Sequence, residues 1–372
     1  MRSAADSLRA VTVLHGDCVT RLGELPDNSI DAVVTDPPYG LAKITRTMTE
    51  RAVTEWVSGN RTFTPDGRGF GGAGWDRFVP PPAVWDECLR VLKPGGFLLS
   101  FAGTRTQDLM GLSLRLAGFE VRDEISWMYV QAFPKTMNLQ LTAEKQGFER
   151  PEYGALGTAL KPAHEPILVC QKPVDGTVVG NIETWGTGAL NIDASRIPTT
   201  DKLAGGSMST GKQMSGAWRR PWMEGDEGRA AARARTELSV AKAETLGRYP
   251  ANLIFDEPAG ALIDSEAGRP ISKMFFAAKP EKSEKPYVDG KTHETVKPLA
   301  LMDYLVELVT PVGGVVLDPF AGSGTTAESA IRRGRRAVVV EREADFLPYI
   351  EQRIQRVRAS TPAPETAGKS AA

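Results

Sequence analysis

The 372-residue sequence predicts an α/β protein built on a doubly wound, largely parallel sheet. Short apolar runs alternate with amphipathic stretches, which is the pattern of strands joined by crossover helices. Acidic residues stand at the ends of four predicted strands, and a glycine-rich loop joins one strand to the helix after it. Because parallel sheets bind ligands at the carboxyl ends of their strands, these carboxylates are expected to share one functional edge.

Seven short apolar runs are predicted to form the strands, because turn residues or carboxylates bound each of them. Four of the strands end at or just before Asp17, Asp36, Asp318 and Glu341. The fourth and fifth can pair as a hairpin with a long excursion between them. The predicted strands cover residues 11–14, 30–35, 97–101, 124–130, 165–170, 315–317 and 337–340.

Amphipathic stretches between these strands are predicted to form the helices. Pro82 begins the first helix, the Lys-Pro-Gly-Gly run at 93–96 turns it into the next strand, and Gly118 ends the second helix. Residues 41–80 are rich in Thr, Gly and Arg and are predicted to form a long loop. The predicted helices cover residues 82–92, 106–117, 298–310, 325–333 and 344–358.

Composition and charge exclude several kinds of protein. The net charge of −1 does not suit a protein whose whole surface binds nucleic acid, so any such contact is expected at local basic patches such as Arg219-Arg220. The three cysteines and three histidines lack metal-ligand spacing, which predicts a reducing compartment and no metal site. No apolar stretch is long enough to span a bilayer, and the N-terminus lacks an apolar signal core, so a cytoplasmic location is predicted.

A glycine-rich loop follows the strand that ends at Asp318. Residues 322–327, Gly-Ser-Gly-Thr-Thr-Ala, have the G-x-G-x-x-A pattern, in which glycine lets the backbone approach a ligand and helix amides face it. Glu341 closes the next strand about 20 residues downstream, where a carboxylate can accept hydrogen bonds from both ribose hydroxyls. On its own this pattern fits a nicotinamide dehydrogenase as well as a methyltransferase, and a turn that only packs helix on strand is the alternative.

The tetrapeptide Asp36-Pro37-Pro38-Tyr39 suits the recognition of a nucleobase amine. The exocyclic amine of adenine or cytosine is a poor nucleophile because its lone pair is delocalised into the ring. Two acceptors, the Asp36 carboxylate and the Pro37 carbonyl, would favour the rehybridised transition state. The prolines stiffen the loop, and Tyr39 offers a face on which a flipped base can stack. A rigid strand-to-loop turn is the alternative explanation.

These motifs, in this order, resemble those of the beta-class DNA amino-methyltransferases of bacteria and their phages. Residues 293–298, His-Glu-Thr-Val-Lys-Pro, are similar to the family's His-Pro-Thr-x-Lys-Pro element and depart from it at Glu294. Stretches at 92–96, 133–135, 161–166 and 252–254 also match. The resemblance implies a Rossmann-like class I methyltransferase fold, with a circularly permuted, mixed seven-stranded sheet and an inserted target-recognition region. It also implies S-adenosylmethionine as cofactor and double-stranded DNA as partner, and it is compatible with a homodimer, a cognate restriction enzyme and a bacterial, phage or prophage gene.

The resemblance further implies roles for individual residues. Asp318 faces the methionine amine of the cofactor, Lys297 pairs with its carboxylate, and Asp17 contacts its adenine unless the Gly16-Asp17 pair is only a turn. The implied catalytic residues, which hold the target base, are Asp36, Pro37, Pro38 and Tyr39. The implied cofactor-binding residues are Asp17, His293, Thr295, Lys297, Asp318, Phe320, Ala321, Gly322, Ser323, Gly324, Thr325 and Glu341.

The same resemblance divides the chain into four parts. The catalytic half of the core covers residues 8–174, the target-recognition insertion 175–275, the cofactor-binding half 276–358 and a disordered tail 359–372. The loop at 41–80 is expected to close over the flipped base. Trp218 and Trp222, inside the insertion, could wedge into the base stack or anchor a small core.

The leading hypothesis is an adenine-N6 DNA methyltransferase, because cytosine-N4 members of the family more often carry Ser at the position of Asp36. The cytosine-N4 enzyme is the first alternative. An enzyme that methylates the glutamine amide of a protein would usually begin its tetrapeptide with Asn. A catalytically silent DNA-binding protein would not need Asp36, Tyr39 and the glycine loop intact, and a nicotinamide dehydrogenase would leave the tetrapeptide unexplained.

Overall fold

The computed structural model describes residues 11–67, 69, 74–130, 136–198, 226–267, 275–276, 284–288, 290–292 and 296–360. The strands in these ranges are β1 (Val11–His15), β2 (Ile30–Thr35), β3 (Leu92–Phe101), β4 (Glu120–Met128), β5 (His164–Gln171), β6 (Leu253–Phe255), β7 (Phe275–Phe276), β8 (Tyr287–Val288), β9 (Lys291–Thr292), β10 (Val315–Asp318) and β11 (Arg336–Glu341). The helices are α1 (Cys18–Leu22), α2 (Arg46–Val57), α3 (Pro82–Val91), α4 (Gln107–Leu116), α5 (Leu139–Lys145), α6 (Val178–Trp185), α7 (Asp226–Leu246), α8 (Glu257–Ala267), α9 (Leu299–Val309), α10 (Thr325–Arg332) and α11 (Leu347–Ser360).

In the described residues one nine-stranded sheet has the order β1-β11-β10-β2-β3-β5-β4-β6-β7, and β8 pairs with β9 separately. Neighbouring strands are parallel except at β5, which runs antiparallel to both β3 and β4. The predicted mixed, doubly wound sheet is confirmed, with the first strand beside the last as a permuted order requires. Two short strands, β6 and β7, extend the seven that were predicted, and at three and two residues they are too short to show a period.

Both faces of the central strands are buried, which explains their continuous apolar runs. In β2, Ala32 and Val34 pack on one face with α9, α10 and α11, whereas Val33 packs on the other face with α2, α3 and α4. Successive strand residues point to opposite faces, so each hydrophobic core receives alternate residues of the same strand. Packing on both sides therefore holds the carboxyl ends of the parallel strands in one row.

The prediction of a long loop at residues 41–80 is wrong for residues 46–57. These residues form α2, which begins at the N-cap Thr45 and buries Ala52 and Trp56. The indole Nε1 of Trp56 donates a hydrogen bond to the carbonyl of Phe63 at 2.8 Å, so the helix is tied to the chain that follows it. Only a narrow stripe of α2 is apolar, and the Thr, Arg and Glu residues around it dominate the composition.

The predicted insertion at 175–275 is joined to the core sheet at its C-terminal end. β6 pairs in parallel with the last residues of β4, and α6, α7 and α8 lie within the same span. Trp218 and Trp222 lie outside the described residues, as do residues 361–372 of the predicted tail, and α11 runs to Ser360, past the predicted start of that tail. Within the described ranges, no helix has the length and apolar character needed to cross a membrane.

Candidate active site

Four acidic residues lie along one edge of the sheet. β1, β11, β10 and β2 are adjacent and parallel, and Asp17, Glu341, Asp318 and Asp36 lie at or just past their carboxyl ends. The amide of Gly16 donates to the carbonyl of Glu341 at 2.9 Å, which continues the pairing of β1 with β11 beyond the strand. The topology therefore brings together carboxylates that are separated by up to about three hundred residues in the chain.

A cavity of about 700 Å³ opens at this edge. Its volume lies within the range of about 300–1,000 Å³ that is typical of small-molecule sites. The predicted site residues in its wall are Asp17, Asp36, Pro38, Phe320, Gly322 and Glu341. Residues between Thr62 and Val84, including Arg77 and Phe78, form a second wall. No cofactor contact was predicted for this wall from the sequence.

The glycine loop is anchored to the end of β11 by a carboxylate. The Gly322 amide donates to Glu341 Oε2 at 2.7 Å, and the Glu343 amide donates to the other oxygen at 2.8 Å. Burial raises the pKa of Glu341, although these amides act in the opposite direction. Gly324 has φ +81°, and a Cβ there would lie 3.0 Å from the Ile350 Cα, so only glycine fits the turn into α10.

Asp318 points into the protein rather than into the cavity. Its Oδ1 accepts hydrogen bonds from the Thr35 hydroxyl at 2.7 Å and the Phe320 amide at 3.1 Å, and its Oδ2 accepts one from the Thr326 hydroxyl at 2.7 Å. Burial raises the pKa of Asp318 to about 6, against the opposing effect of these donors. The residue thus ties β10 to β2 and to α10, beneath the loop that lines the cavity.

The tetrapeptide contributes to a cluster of four polar side chains. Asp36 Oδ1 accepts a hydrogen bond from the Tyr39 hydroxyl at 2.7 Å, and Asp36 Oδ2 lies 2.7 Å from the Lys297 ammonium. Glu165, at the start of β5, places its Oε2 3.1 Å from the Tyr39 hydroxyl and 3.3 Å from the Lys297 Nζ. We call Asp36, Tyr39, Glu165 and Lys297 the polar quartet. Asp36 belongs both to this quartet and to the wall of the cavity.

Lys297 lies with the tetrapeptide and is absent from the cavity wall. Its Nζ is 4.8 Å from the ring centre of Phe101 and 5.3 Å from that of Tyr39. Burial alone would lower its pKa, but Asp36 and Glu165 outweigh burial and raise the pKa of Lys297 above its ordinary value. Burial and the same two carboxylates also raise the pKa of Tyr39. The ammonium is therefore charged, whereas the phenol is neutral.

The buried carboxylate of Asp76, which was not predicted from the sequence, binds backbone amides at the end of the tetrapeptide. Asp76 accepts the Tyr39 and Gly40 amides at 2.8 Å each on Oδ1, and the Leu41 amide at 3.2 Å on Oδ2. The Thr106 hydroxyl donates to the Tyr39 carbonyl at 2.6 Å. Asp76 lies in a three-residue 3₁₀ turn, 37 residues after Tyr39, and no local pattern connects the two positions.

The remaining predicted residues lie behind the site or outside the described ranges. Ala321, Ser323, Gly324 and Thr325 are buried where the glycine loop enters α10, and Pro37 is buried at the start of the tetrapeptide. His293 and Thr295, which were predicted to bind the cofactor, lie outside the described residues. Asp17 caps α1, because its Oδ1 accepts the Thr20 amide at 3.2 Å, and it also lines the cavity.

A family model for N6 and N4 methyltransferases, described as DNA methylase, matches residues 30–352. The chain belongs to this DNA methylase family. The match includes the tetrapeptide, Glu165, Lys297 and the glycine loop in one continuous region. Proteins of the family use S-adenosylmethionine as their methyl donor, so this protein is an S-adenosylmethionine-dependent DNA methyltransferase.

The methylase is also similar to individual proteins along most of its length. It is 25% identical over 347 residues to the type II methyltransferase M.HindIII of Haemophilus influenzae, covering 89% of this chain and 90% of that protein. It is 22% identical over 354 residues to M.HinfI of the same species, covering 93% and 69% of the two chains. Solved structures with related shapes include PvuII DNA methyltransferase, described as cytosine-N4-specific (13% identity, TM-score 0.49, 94% and 90% covered), and M1.HpyAVI in complex with SAM (16%, 0.45, 92% and 98%).

Replacing Asp76 by asparagine is expected to loosen the tetrapeptide of the methylase. The amide oxygen can keep the bonds at Oδ1, but the amide nitrogen would face the Leu41 N–H, donor against donor. We expect the free energy of unfolding to fall by about 2 kcal/mol, and kcat for methylation to fall about tenfold because the backbone at Leu41, directly after the tetrapeptide, is no longer held. Chemical denaturation and initial rates measure both. Asp66→Asn, at an exposed position in the same segment, is the control, and equal behaviour of the two variants would contradict the assignment.

Proposed function

We propose that this methylase is site-specific and transfers the methyl group of S-adenosylmethionine to the N6 amine of an adenine flipped out of double-stranded DNA. The observation that carries the proposal is the position of Asp36. Asp36 lines the cavity of about 700 Å³, and its carboxylate belongs to the polar quartet. An acceptor at this junction can hold the amine of a base next to a cofactor in the cavity.

The residues around the cavity fit S-adenosylmethionine. Glu341 and Asp17 line it, and their carboxylates are of a type suited to the hydroxyls and amine of the adenosine moiety. Phe320 adds an aromatic residue, and the Gly322 backbone permits close approach. The cofactor supplies a methyl group on a positively charged sulfur. We propose that Gly322, Phe320, Asp17 and Glu341 bind it directly, and that Asp318, Ala321, Ser323, Gly324 and Thr325 support the loop from the interior.

Lys297 is better suited to a role beside the base than to one at the cofactor carboxylate. Two carboxylates hold its ammonium, and it is not part of the cavity wall. The two ion pairs already engage two of the three N–H groups of the ammonium and hold it at the tetrapeptide. We therefore propose that Lys297 belongs to the base site, together with Asp36 and Tyr39.

The chain can assist transfer through two acceptors and a flat ring. The Asp36 carboxylate can accept one hydrogen of the target amine, and the Pro37 carbonyl can accept the other. Drawing both hydrogens out of the ring plane makes the nitrogen lone pair available for attack on the methyl carbon. Tyr39 offers its ring to the extruded base. The proton on the methylated nitrogen becomes acidic only after transfer, so Asp36 need not remove it beforehand.

The choice of adenine rests on the aspartate at position 36, since serine is more usual there in cytosine-N4 enzymes. We propose that residues 175–275 read the target sequence, and that α2 and the segment after it, which follow the tetrapeptide directly, close over the extruded base. The homodimer and the cognate restriction enzyme stay predictions of the family resemblance.

Identification of the methylated base tests the proposal. Unmethylated duplex DNA is incubated with the protein and S-adenosylmethionine, digested to nucleosides and analysed by mass spectrometry, with Asp36→Ala as the control against contaminating activity. We expect N6-methyladenine with the wild-type protein and none with the variant. N4-methylcytosine would overturn the adenine assignment but keep the site. Methylation that persists in Asp36→Ala would overturn the site itself.

A further inference from the structure

The polar quartet contains more negative than positive charge. Two carboxylates, Asp36 and Glu165, face one ammonium, Lys297, and the Tyr39 phenol is neutral. The side chains of Asp36, Glu165 and Lys297 are 23%, 24% and 12% exposed, so solvent screens them only in part. The charged groups of the quartet therefore carry a net charge of −1 beside the proposed base site.

Lys297 creates a conflict at Asp36 that Glu165 can resolve. The ammonium lies on Asp36 Oδ2, and this carboxylate is the one proposed to accept the target amine. If Asp36 were the only anion near Lys297, the pair would be neutral. The target base would then have to displace the Lys297 ammonium from Asp36, and the ammonium would have no other anion to bind. Glu165 Oε2, at 3.3 Å from the same nitrogen, is a second anion onto which Lys297 can shift without leaving the site.

Strand pairing holds Glu165 next to Lys297 and Tyr39. Glu165 is the second residue of β5, where it pairs with Trp127 of β4, and the next residues of β5 pair with the end of β3. Its carboxylate also lies within hydrogen-bonding distance of the Tyr39 hydroxyl. Glu165 lies in the stretch at 161–166, which resembles the family in sequence, but no function was predicted for it from the sequence.

We propose that Glu165 is a positioning residue that holds Lys297 and Tyr39 while the target amine binds Asp36, so that the site keeps a net negative charge during transfer. This inference rests on the proposed function. As transfer proceeds, the amine lone pair forms the N–C bond, the C–S bond breaks and its electron pair remains on sulfur. The nitrogen then carries a positive charge until it releases a proton to water. A site with a net charge of −1 stabilises that cation better than a neutral one.

The first test compares variants that change this charge in opposite directions. Glu165→Gln makes the quartet neutral, and kcat is expected to fall by on the order of tenfold to a hundredfold, whereas the KM for DNA changes less than about threefold. Glu165→Gln combined with Lys297→Met restores the charge of −1, because only Asp36 remains charged. Methionine removes the charge that faces the rings of Tyr39 and Phe101 but keeps an unbranched side chain that can pack against them. The double variant is expected to regain about tenfold in kcat over Glu165→Gln alone.

Glu120→Gln is the matched control for this test, because Glu120 lies at the opposite end of β4 from the site. A merely structural role for Glu165 would make the double variant no better than Glu165→Gln, and that outcome overturns the proposal. Wild-type kcat in Glu165→Gln overturns it as well. Activity is measured on whichever base the wild-type protein methylates, so an incorrect base assignment does not affect the comparison.

A second measurement is independent of activity. In an Asp36→Asn background Lys297 has lost its first anion and depends on Glu165. Adding Glu165→Gln there is expected to lower Tm by about 3–6 °C, because it leaves a buried ammonium without an anion. Adding Glu120→Gln instead leaves Tm unchanged. An equal Tm for both double variants overturns the inference, even if the wild-type protein methylates no base and the proposed function itself has failed.

Discussion

Replacing Asp36 by asparagine is expected to lower kcat for DNA methylation by on the order of 10²- to 10³-fold. The carboxylate accepts the Tyr39 hydroxyl on one oxygen and the Lys297 ammonium on the other. An asparagine amide is neutral: its oxygen can face the Lys297 ammonium, and its nitrogen can donate to the Tyr39 hydroxyl, which can turn its own proton to Glu165 Oε2 at 3.1 Å. The target amine would then meet a weaker acceptor in an altered position.

The Asp36→Asn effect should be confined to the base site. Glu341 and the glycine loop do not depend on Asp36 for their hydrogen bonds, so the Kd for S-adenosylmethionine is expected to stay within about threefold of wild type. Calorimetric titration measures the Kd, and single-turnover methylation measures the chemical step. Asp27→Asn, at the other end of β2 on a side chain that is 69% exposed, provides the control. Loss of cofactor binding in parallel with kcat would contradict a role at the base.

Replacing Asp318 by asparagine is expected to stabilise the protein above pH 6. Burial raises the pKa of Asp318 to about 6 from an ordinary value of 3.8, so the folded protein binds this proton more tightly than the unfolded chain does. A shift of this size corresponds to roughly 3 kcal/mol, because each pKa unit is worth about 1.4 kcal/mol. The sign follows from proton linkage: the wild-type free energy of unfolding falls as the pH rises from about 4 to about 6 and is unaffected by this group above that range.

Asparagine fits the surroundings of Asp318. Its amide oxygen can accept the Thr35 hydroxyl and the Phe320 amide, as Oδ1 does. Its amide nitrogen can donate to the Thr326 hydroxyl, which can in turn direct its proton to the Val34 carbonyl 3.4 Å away. The hydrogen bonds are retained without a buried charge.

Denaturant unfolding at a series of pH values tests this prediction. The free energy of unfolding of the variant minus that of wild type should rise between pH 4 and pH 6, by up to roughly 3 kcal/mol, and then level off. A difference that is constant across this range would show that Asp318 does not titrate with a raised pKa. If the buried charge contributes to attraction of the cationic cofactor, the same variant should bind S-adenosylmethionine more weakly at pH 8, where the wild-type carboxylate is ionised.

Those parts of the site that depend on local chain order could be predicted from the sequence. The strand, glycine loop and helix from Asp318 onward are contiguous, and the alternation of strands and helices predicts which carboxylates share an edge. The row of Asp17, Glu341, Asp318 and Asp36 therefore follows from topology alone. The cavity wall near Thr62 does not, because no pattern relates it to a cofactor.

The parts that were not predicted depend on contacts between distant segments. Asp76 binds three amides of the tetrapeptide from a short 3₁₀ turn, and Glu165 meets Lys297 only because β5 lies next to β3. The location of Lys297 beside Asp36 is likewise set by the way residues 296–298 approach the sheet. A sequence identifies such residues as polar but does not say which side chains they meet in the folded protein.

The position of β10, between β11 and β2, also governs how the protein can be made. The hydrogen bond from Thr35 to Asp318 joins residues 283 positions apart, so the centre of the sheet closes only after nearly the whole chain has been synthesised. Until then β1 and β2 present unpaired edges, which are open to association with other chains and to capture by chaperones. A ribosome that stops before β10 would release a chain that has the tetrapeptide but lacks the glycine loop and Glu341. Methylation activity therefore requires a chain that has been synthesised at least through β10 and β11.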